Sequence, residues 1–350
     1  MHKKLLAAAV ASAFAGAASA QSSVTAFGLV DVNIRRVDND SGGKLWTLST
    51  DGLNQSRLGF RGTEDLGGGL HAGFWLEAAV AADTGTTNPQ RFFHRRSTVS
   101  LSSDTFGELR LGRDHTATFW NLLLFDPFPT GLGNATNLFP AQIGTQAVQT
   151  LLRADNAVNY ILPANLGGFY GQATYAFDEG PASPTNLGGD NKYAGGRIGY
   201  QAGAFDTAIA YGQTRTNTPE KLKTWDFGIS YDFGFLRLYG QYATLEWDQW
   251  ERQNFMIGAT VPVGAGSFRG SYTHSDFRGP ACPANVATCD GAEQFAIGYV
   301  HNLSKRSALY TTASIIRNDA GAAISLPGGP AGLRRGEDSV GFEMGIRHAF

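Results

Sequence analysis

After its first twenty residues the chain divides into about sixteen segments in which apolar and polar residues alternate. The connections between these segments are alternately very short and long. The last segment, SVGFEMGIRHAF, shows the alternation best. Val340, Phe342, Met344, Ile346 and Phe350 share one parity, and Gly341, Glu343, Gly345, Arg347 and Ala349 share the other. Side chains switch faces at every residue of a strand, so each segment has one apolar and one polar face. Carried round a closed sheet, the pattern predicts an all-β barrel that is apolar outside and wet inside. A soluble β-sandwich also has period two, with its apolar face turned inward. Two features favour the barrel. One rim carries tight turns and the other loops, and Tyr175, Phe177, Tyr231 and Phe233 fall near segment ends, where interfacial aromatic girdles form.

Strands are expected near 23–35, 55–64, 70–81, 92–102, 106–114, 153–162, 168–178, 191–201, 204–214, 223–233, 235–245, 252–261, 266–276, 292–302, 306–317 and 339–350. Long connections cover roughly 36–54, 82–91, 115–152, 179–190, 277–291 and 318–338, and those near 215–222 and 246–251 are intermediate. The connection from His115 to Leu152 is the longest and too apolar for a solvated loop. A structureless stretch of that length is usually functional. It is expected to fold into the lumen and narrow it.

The ends and the composition agree with a secreted membrane barrel. Lys3 and Lys4, an apolar run from Leu5 and Ala18-Ser19-Ala20 make residues 1–20 a cleavable secretory leader, which leaves 21–350 as one domain. Removing Lys3 and Lys4 leaves 26 basic residues against 30 acidic, a net charge of −4. That excludes a broadly basic nucleic-acid binder. Mean hydropathy is only −0.18, as expected where alternate residues alone face lipid. Cys282 and Cys289 lie close together in GPACPANVATCDG. In an oxidising compartment a local disulfide is expected, with two free thiols as the alternative. No ligand pair stands at metal-site spacing, and no cofactor motif is expected. The glycines of GAGSFRG lack nucleotide-loop spacing.

Several arginines fall on the inward parity. Leu58 and Phe60 take the lipid side, so Arg57 and Arg61 face inward, as do Arg153 and Arg110. Strict parity turns Arg96 inward, whereas a bulge would choose Arg95; Arg113 is outward unless the strand bends. A charge facing lipid at mid-depth costs roughly 2–4 kcal/mol, which favours the lumen. Asp126 is the only acidic residue in the long loop, and Asp114 just precedes it. The candidate constriction is therefore Arg57, Arg61, Arg95, Arg96, Arg153, Asp126, Asp114 and Glu77. Rings of arginine bias a pore toward anions, and the guanidinium stays charged at all relevant pH. The alternative is that these arginines only neutralise Glu77, Glu108, Asp155 and Asp31 in the interior.

The N-terminal VTAFGLVDVNI, the block SRLGFRGTEDLGGGL, the STVSL…FGELRLGRD block and the terminal Phe350 together resemble the trimeric general-diffusion porins of Gram-negative bacteria, particularly the β-proteobacterial type. The resemblance spans the mature chain. It implies an outer-membrane barrel of sixteen strands surrounded by lipid, three barrels per assembly, and an inward third loop. It also implies passive diffusion of small hydrophilic solutes and ions. Basic wall residues would oppose acidic groups on the loop; the matching positions are Arg57, Arg61, Arg95 and Arg153, with Asp126 across from them. Phe350 matches the family's assembly signal. The loop carries one carboxylate where cation-preferring members carry several, which points to anions.

Two rivals remain. A barrel hydrolase needs a nucleophile beside a base, and no GxSxG or HExxH accompanies the six histidines left after the leader. A substrate-specific channel or adhesin would use a continuous aromatic track, but Trp75, Tyr170 and Tyr239 sit on scattered strands.

Overall fold

The computed structural model describes residues 23–139, 142–143, 146–147, 150–178, 191–216, 218–280 and 288–350. The leader and Cys282 lie outside them. The chain forms one antiparallel sheet of seventeen strands that closes on itself. In order these are β1 Ser23–Asn39, β2 Gly43–Thr50, β3 Arg57–Gly67, β4 Leu70–Ala79, β5 Arg96–Ser103 and β6 Gly107–His115. A helix α1, Ala117–Leu124, and a two-residue pair, β7 Gln142–Ile143 and β8 Gln146–Ala147, belong to the third loop. The barrel resumes with β9 Arg153–Ile161, β10 Phe169–Ala176, β11 Tyr193–Ala202, β12 Phe205–Arg215, β13 Lys221–Asp232 and β14 Arg237–Trp247. It ends with β15 Trp250–Val263, β16 Gly266–Arg278, β17 Ala292–Asn302, β18 Ser307–Asn318 and β19 Ser339–Ala349.

Sixteen positions hold the seventeen strands, because β2 and β3 share one flank of β1. The upper half of β1 pairs with β2, from Val32↔Thr50 to Asn39↔Gly43, and its lower half pairs with β3, from Ser23↔Thr63 to Leu29↔Arg57. The expected long connection at 36–54 is thus a tight hairpin around Asp40–Gly42 followed by a break at 51–56. Asp31, expected as a counter-ion for arginines, instead caps the break. Its buried carboxylate accepts the backbone N–H groups of Gly52, Leu53 and Asn54 at 3.2, 2.9 and 2.7 Å and the hydroxyl of Tyr310. The connection expected at 246–251 also shortens, with Trp247 and Trp250 pairing across Asp248–Gln249. The segment expected from 92 becomes strand only at Arg96.

Closure runs through β1 and β19, in register from Leu29↔Ala349 to Asn39↔Ser339. Phe350 and Gly28 exchange backbone hydrogen bonds of 3.0 and 3.1 Å at the short-turn rim. The parity holds. Val340, Phe342, Met344 and Ile346 are exposed on the outer wall, while Glu343 is fully buried inside. Edge-on aromatic pairs such as Tyr175 with Phe177, and Tyr231 tilted on Phe233, sit outside near strand ends. Among the described residues no helix is long and apolar enough to cross a membrane; the crossing is made by strands.

The core is the filling of the lumen. Phe119, Leu122, Phe139, Ile143 and Leu151 of the third loop pack on Leu222, Ala243, Leu245 and Trp247 of β13 and β14. Leu132 and Leu138 pack on Val37, Ala292, Ile316 and Leu326. Burial of each large apolar side chain contributes about 1.5–3 kcal/mol, and this is what draws the loop inward. Glycines on the inner wall make room for it. A Cβ on Gly228 would lie 2.0 Å from Phe125, and one on Gly258 would lie 2.7 Å from Pro127.

Candidate pore constriction

With the loop seated along the inner faces of β11 to β18, the opening lies between it and the wall of β3 to β9. That wall carries the arginines. Period-two geometry turns Arg57 and Arg61 of β3 inward beside Trp75 and Glu77 of β4. Glu77 is the hub. It accepts Arg95 Nε at 2.5 Å and Trp75 Nε1 at 2.9 Å and pairs with Arg57 at 3.4 Å. Arg95 also donates to Gln55. Both members of the Arg95–Arg96 pair reach the lumen, because Arg95 precedes the strand and escapes its parity.

Arg96 stacks over the Trp75 ring at 4.6 Å, and Arg61 lies over Trp75 and Phe27 at 5.1 and 5.3 Å. A guanidinium so placed keeps its charge toward solvent while its carbon stem rests on the ring. Arg96 approaches Asp114 at 3.7 Å, and Arg110 bridges Asp114 and Glu108 at 2.6 and 2.7 Å. Arg153 has no carboxylate within ion-pair distance among the described residues. Its Nη2 donates to Nε2 of His115 at 2.8 Å, which requires the neutral Nδ1–H tautomer. The His115 ring stacks on Phe119 at 5.2 Å.

Among the described residues six guanidinium groups, Arg57, Arg61, Arg95, Arg96, Arg110 and Arg153, stand against four carboxylates, Glu77, Glu108, Asp114 and Asp51, an excess of two positive charges. Arg57, Arg95, Arg96 and Arg110 are thus paired with Glu77, Glu108 and Asp114, whereas Arg61 and Arg153 have no carboxylate within ion-pair distance among the described residues. Across the opening, a cavity of about 350 Å³ is lined from the loop by uncharged Phe119, Leu123, Thr130, Thr136 and Asn137, and from the barrel by Arg35, Asp51 and Gln55.

Asp126 does not face the arginines. Its carboxylate is buried in the loop's own turn, accepting Phe128 N and Ala135 N at 2.8 Å each and Asn134 Nδ2 at 3.2 Å. Burial pushes its pKa up to about 7, against the pull of those bonds and of Arg269. The parity expectation for Arg113 also changes. A register shift between Gly112 and Asp114 turns it onto Asp155, at 2.5 Å. Sequence reading missed Gln55, Asp51 and His115 as parts of the site. Gln55 and Asp51 lie in the β2–β3 break, which has no periodicity, and only the pairing of β6 with β9 sets His115 beside Arg153. Cys289 is disulfide-bonded.

The family model of Gram-negative porins matches residues 7–321. Outer membrane porin protein 32 of Delftia acidovorans is 39% identical over the whole of both chains. An outer membrane porin protein of Bordetella pertussis is 28% identical, also over the whole of both. Among solved structures, the anion-selective porin from Comamonas acidovorans matches with a TM-score of 0.82 and 38% identity, over 94% of this chain and 100% of that one. A closed sixteen-position barrel with an inward third loop, matched along its length by these proteins, is a channel architecture, and the chain belongs to the Gram-negative porins of the bacterial outer membrane.

Proposed function

We propose that this porin passes small hydrophilic solutes by passive diffusion and favours anions, with Arg57, Arg61, Arg95, Arg96 and Arg153 as the selecting wall. The observation that carries the reading is the excess of two positive charges on one wall, with Arg61 and Arg153 unpaired by any carboxylate among the described residues, opposite an uncharged loop face. Fixed guanidinium groups near a narrow, partly dehydrated opening lower the energy of a passing anion and raise that of a cation. Glu77 and Asp114 hold the arginines in place without cancelling them. The Comamonas relative is described as anion-selective, which supports the same preference here. Transport involves no reaction and no cofactor. Residues 1–20 serve as the leader, the Cys282–Cys289 disulfide pins one long loop, and the barrel works as a homotrimer in outer-membrane lipid.

The test is the reversal potential of the refolded protein in a planar bilayer under a KCl gradient. A chloride-favouring potential is expected, with conductance steps in threes. Replacing Arg57 and Arg153 together by serine should enlarge the conductance and move the potential toward potassium. An unchanged potential in that double variant would refute the assignment of the wall.

A further inference from the structure

Above the constriction, on the long-loop side, a recess of about 220 Å³ opens between the 80–95 connection, β6, β9 and Asn191. Three guanidinium groups line it, Arg91, Arg113 and Arg153, with one carboxylate, Asp155. Asp155 already engages two of them, pairing with Arg91 and with Arg113 Nη1 at 2.5 Å. Arg113 is anchored further by its Nε, which donates to the backbone oxygen of His94 at 2.5 Å. Arg153 brings its full charge, and its buried Nε has no acceptor. Among the described residues the recess thus carries three guanidinium groups against one carboxylate, an excess of two positive charges.

We propose that this recess is a binding subsite for a small, multiply charged oxyanion of the phosphate class, occupied before the anion enters the constriction. The inference rests on the anion-channel reading and names where a preferred solute dwells. Planar guanidinium forks match the oxygen pairs of such an ion bidentately, which a single-atom halide cannot do. Asp155 is not a competing cation site, since two arginines saturate it. His94 also lines the recess; burial, aided by Arg153, Arg95 and Arg113, pushes its pKa down, so it adds no charge at neutral pH.

The experiment adds inorganic phosphate to one side of a bilayer holding wild-type channels in KCl at neutral pH, then to the other. Phosphate from the long-loop side should reduce the chloride current with saturation. The Arg91→Gln/Arg113→Gln variant should weaken the apparent affinity roughly tenfold, as expected for lost charge-assisted bonds, while the sign of the KCl reversal potential is kept. Asn191→Asp, which sets a carboxylate at the rim of the recess, should weaken it as well and serves if the double variant does not assemble. A non-saturating phosphate effect in wild type, or unchanged affinity in the variants, overturns the subsite while a chloride-favouring potential leaves the channel reading standing. A potassium-favouring wild type overturns both.

Discussion

Asp31 shows how one residue can settle a local backbone path. Its carboxylate replaces the ladder partners that Gly52, Leu53 and Asn54 lack where β2 ends and β3 has not begun. Asp31→Ala would leave these donors and the Tyr310 hydroxyl without their acceptor. Each buried group left unsatisfied costs about 1–3 kcal/mol, so the variant should lose roughly 3 kcal/mol or more. Tyr310→Phe, which removes one donor, should lose about 1 kcal/mol. The temperature at which the folded gel band converts to the unfolded one measures both; equal shifts would refute the account. The sequence marked Asp31 only as an inward acid, because its partners come from a break in periodicity and from a strand 279 residues away.

The third loop is the element that narrows the barrel's lumen. Its apolar content announced that it packs, yet the seat is written in glycines on strands far along the chain. Gly228→Ala would put a Cβ 2.0 Å from Cδ2 of Phe125, and the end of α1 must move toward the lumen. Single-channel conductance should fall while the reversal potential keeps its sign. Asp126 gives the loop a pH dependence. Its carboxyl is raised from 3.8 to about 7, so across roughly pH 4–7 the folded loop holds a proton that the unfolded chain has lost. Folding then binds a proton in that window, and stability is fully present near pH 4 and declines as pH rises through 7. Thermal unfolding from pH 4 to 8 should show this decline in wild type and a flatter profile in Asp126→Asn. Parallel profiles would refute the role.

Across the full barrel, the proposed preference for anions rests on the long-range field of a charged wall rather than on one contact. The field of Arg57, Arg61, Arg95, Arg96, Arg110 and Arg153 acts across water in the opening, and salt screens it. The screening length falls from about 10 Å at 0.1 M to about 3 Å at 1 M. Reversal potentials at a fixed KCl ratio should therefore favour chloride strongly when both sides are dilute and weakly near molar salt. A preference independent of salt would point to steric selection instead.

The barrel and its alternation of faces were legible in the residue pattern alone. Lipid outside and water inside impose a period of two that needs no knowledge of neighbouring strands, as the outward Val340, Phe342 and Met344 and the inward Glu343 show. How those charges are used was settled only in three dimensions. Asp126 became a loop staple, Arg113 moved to Asp155, and His115 became the partner of Arg153. Ion pairs, bulges and loop seats depend on which strands stand side by side, and that is set by register and packing across distant parts of the chain, beyond the reach of a local pattern.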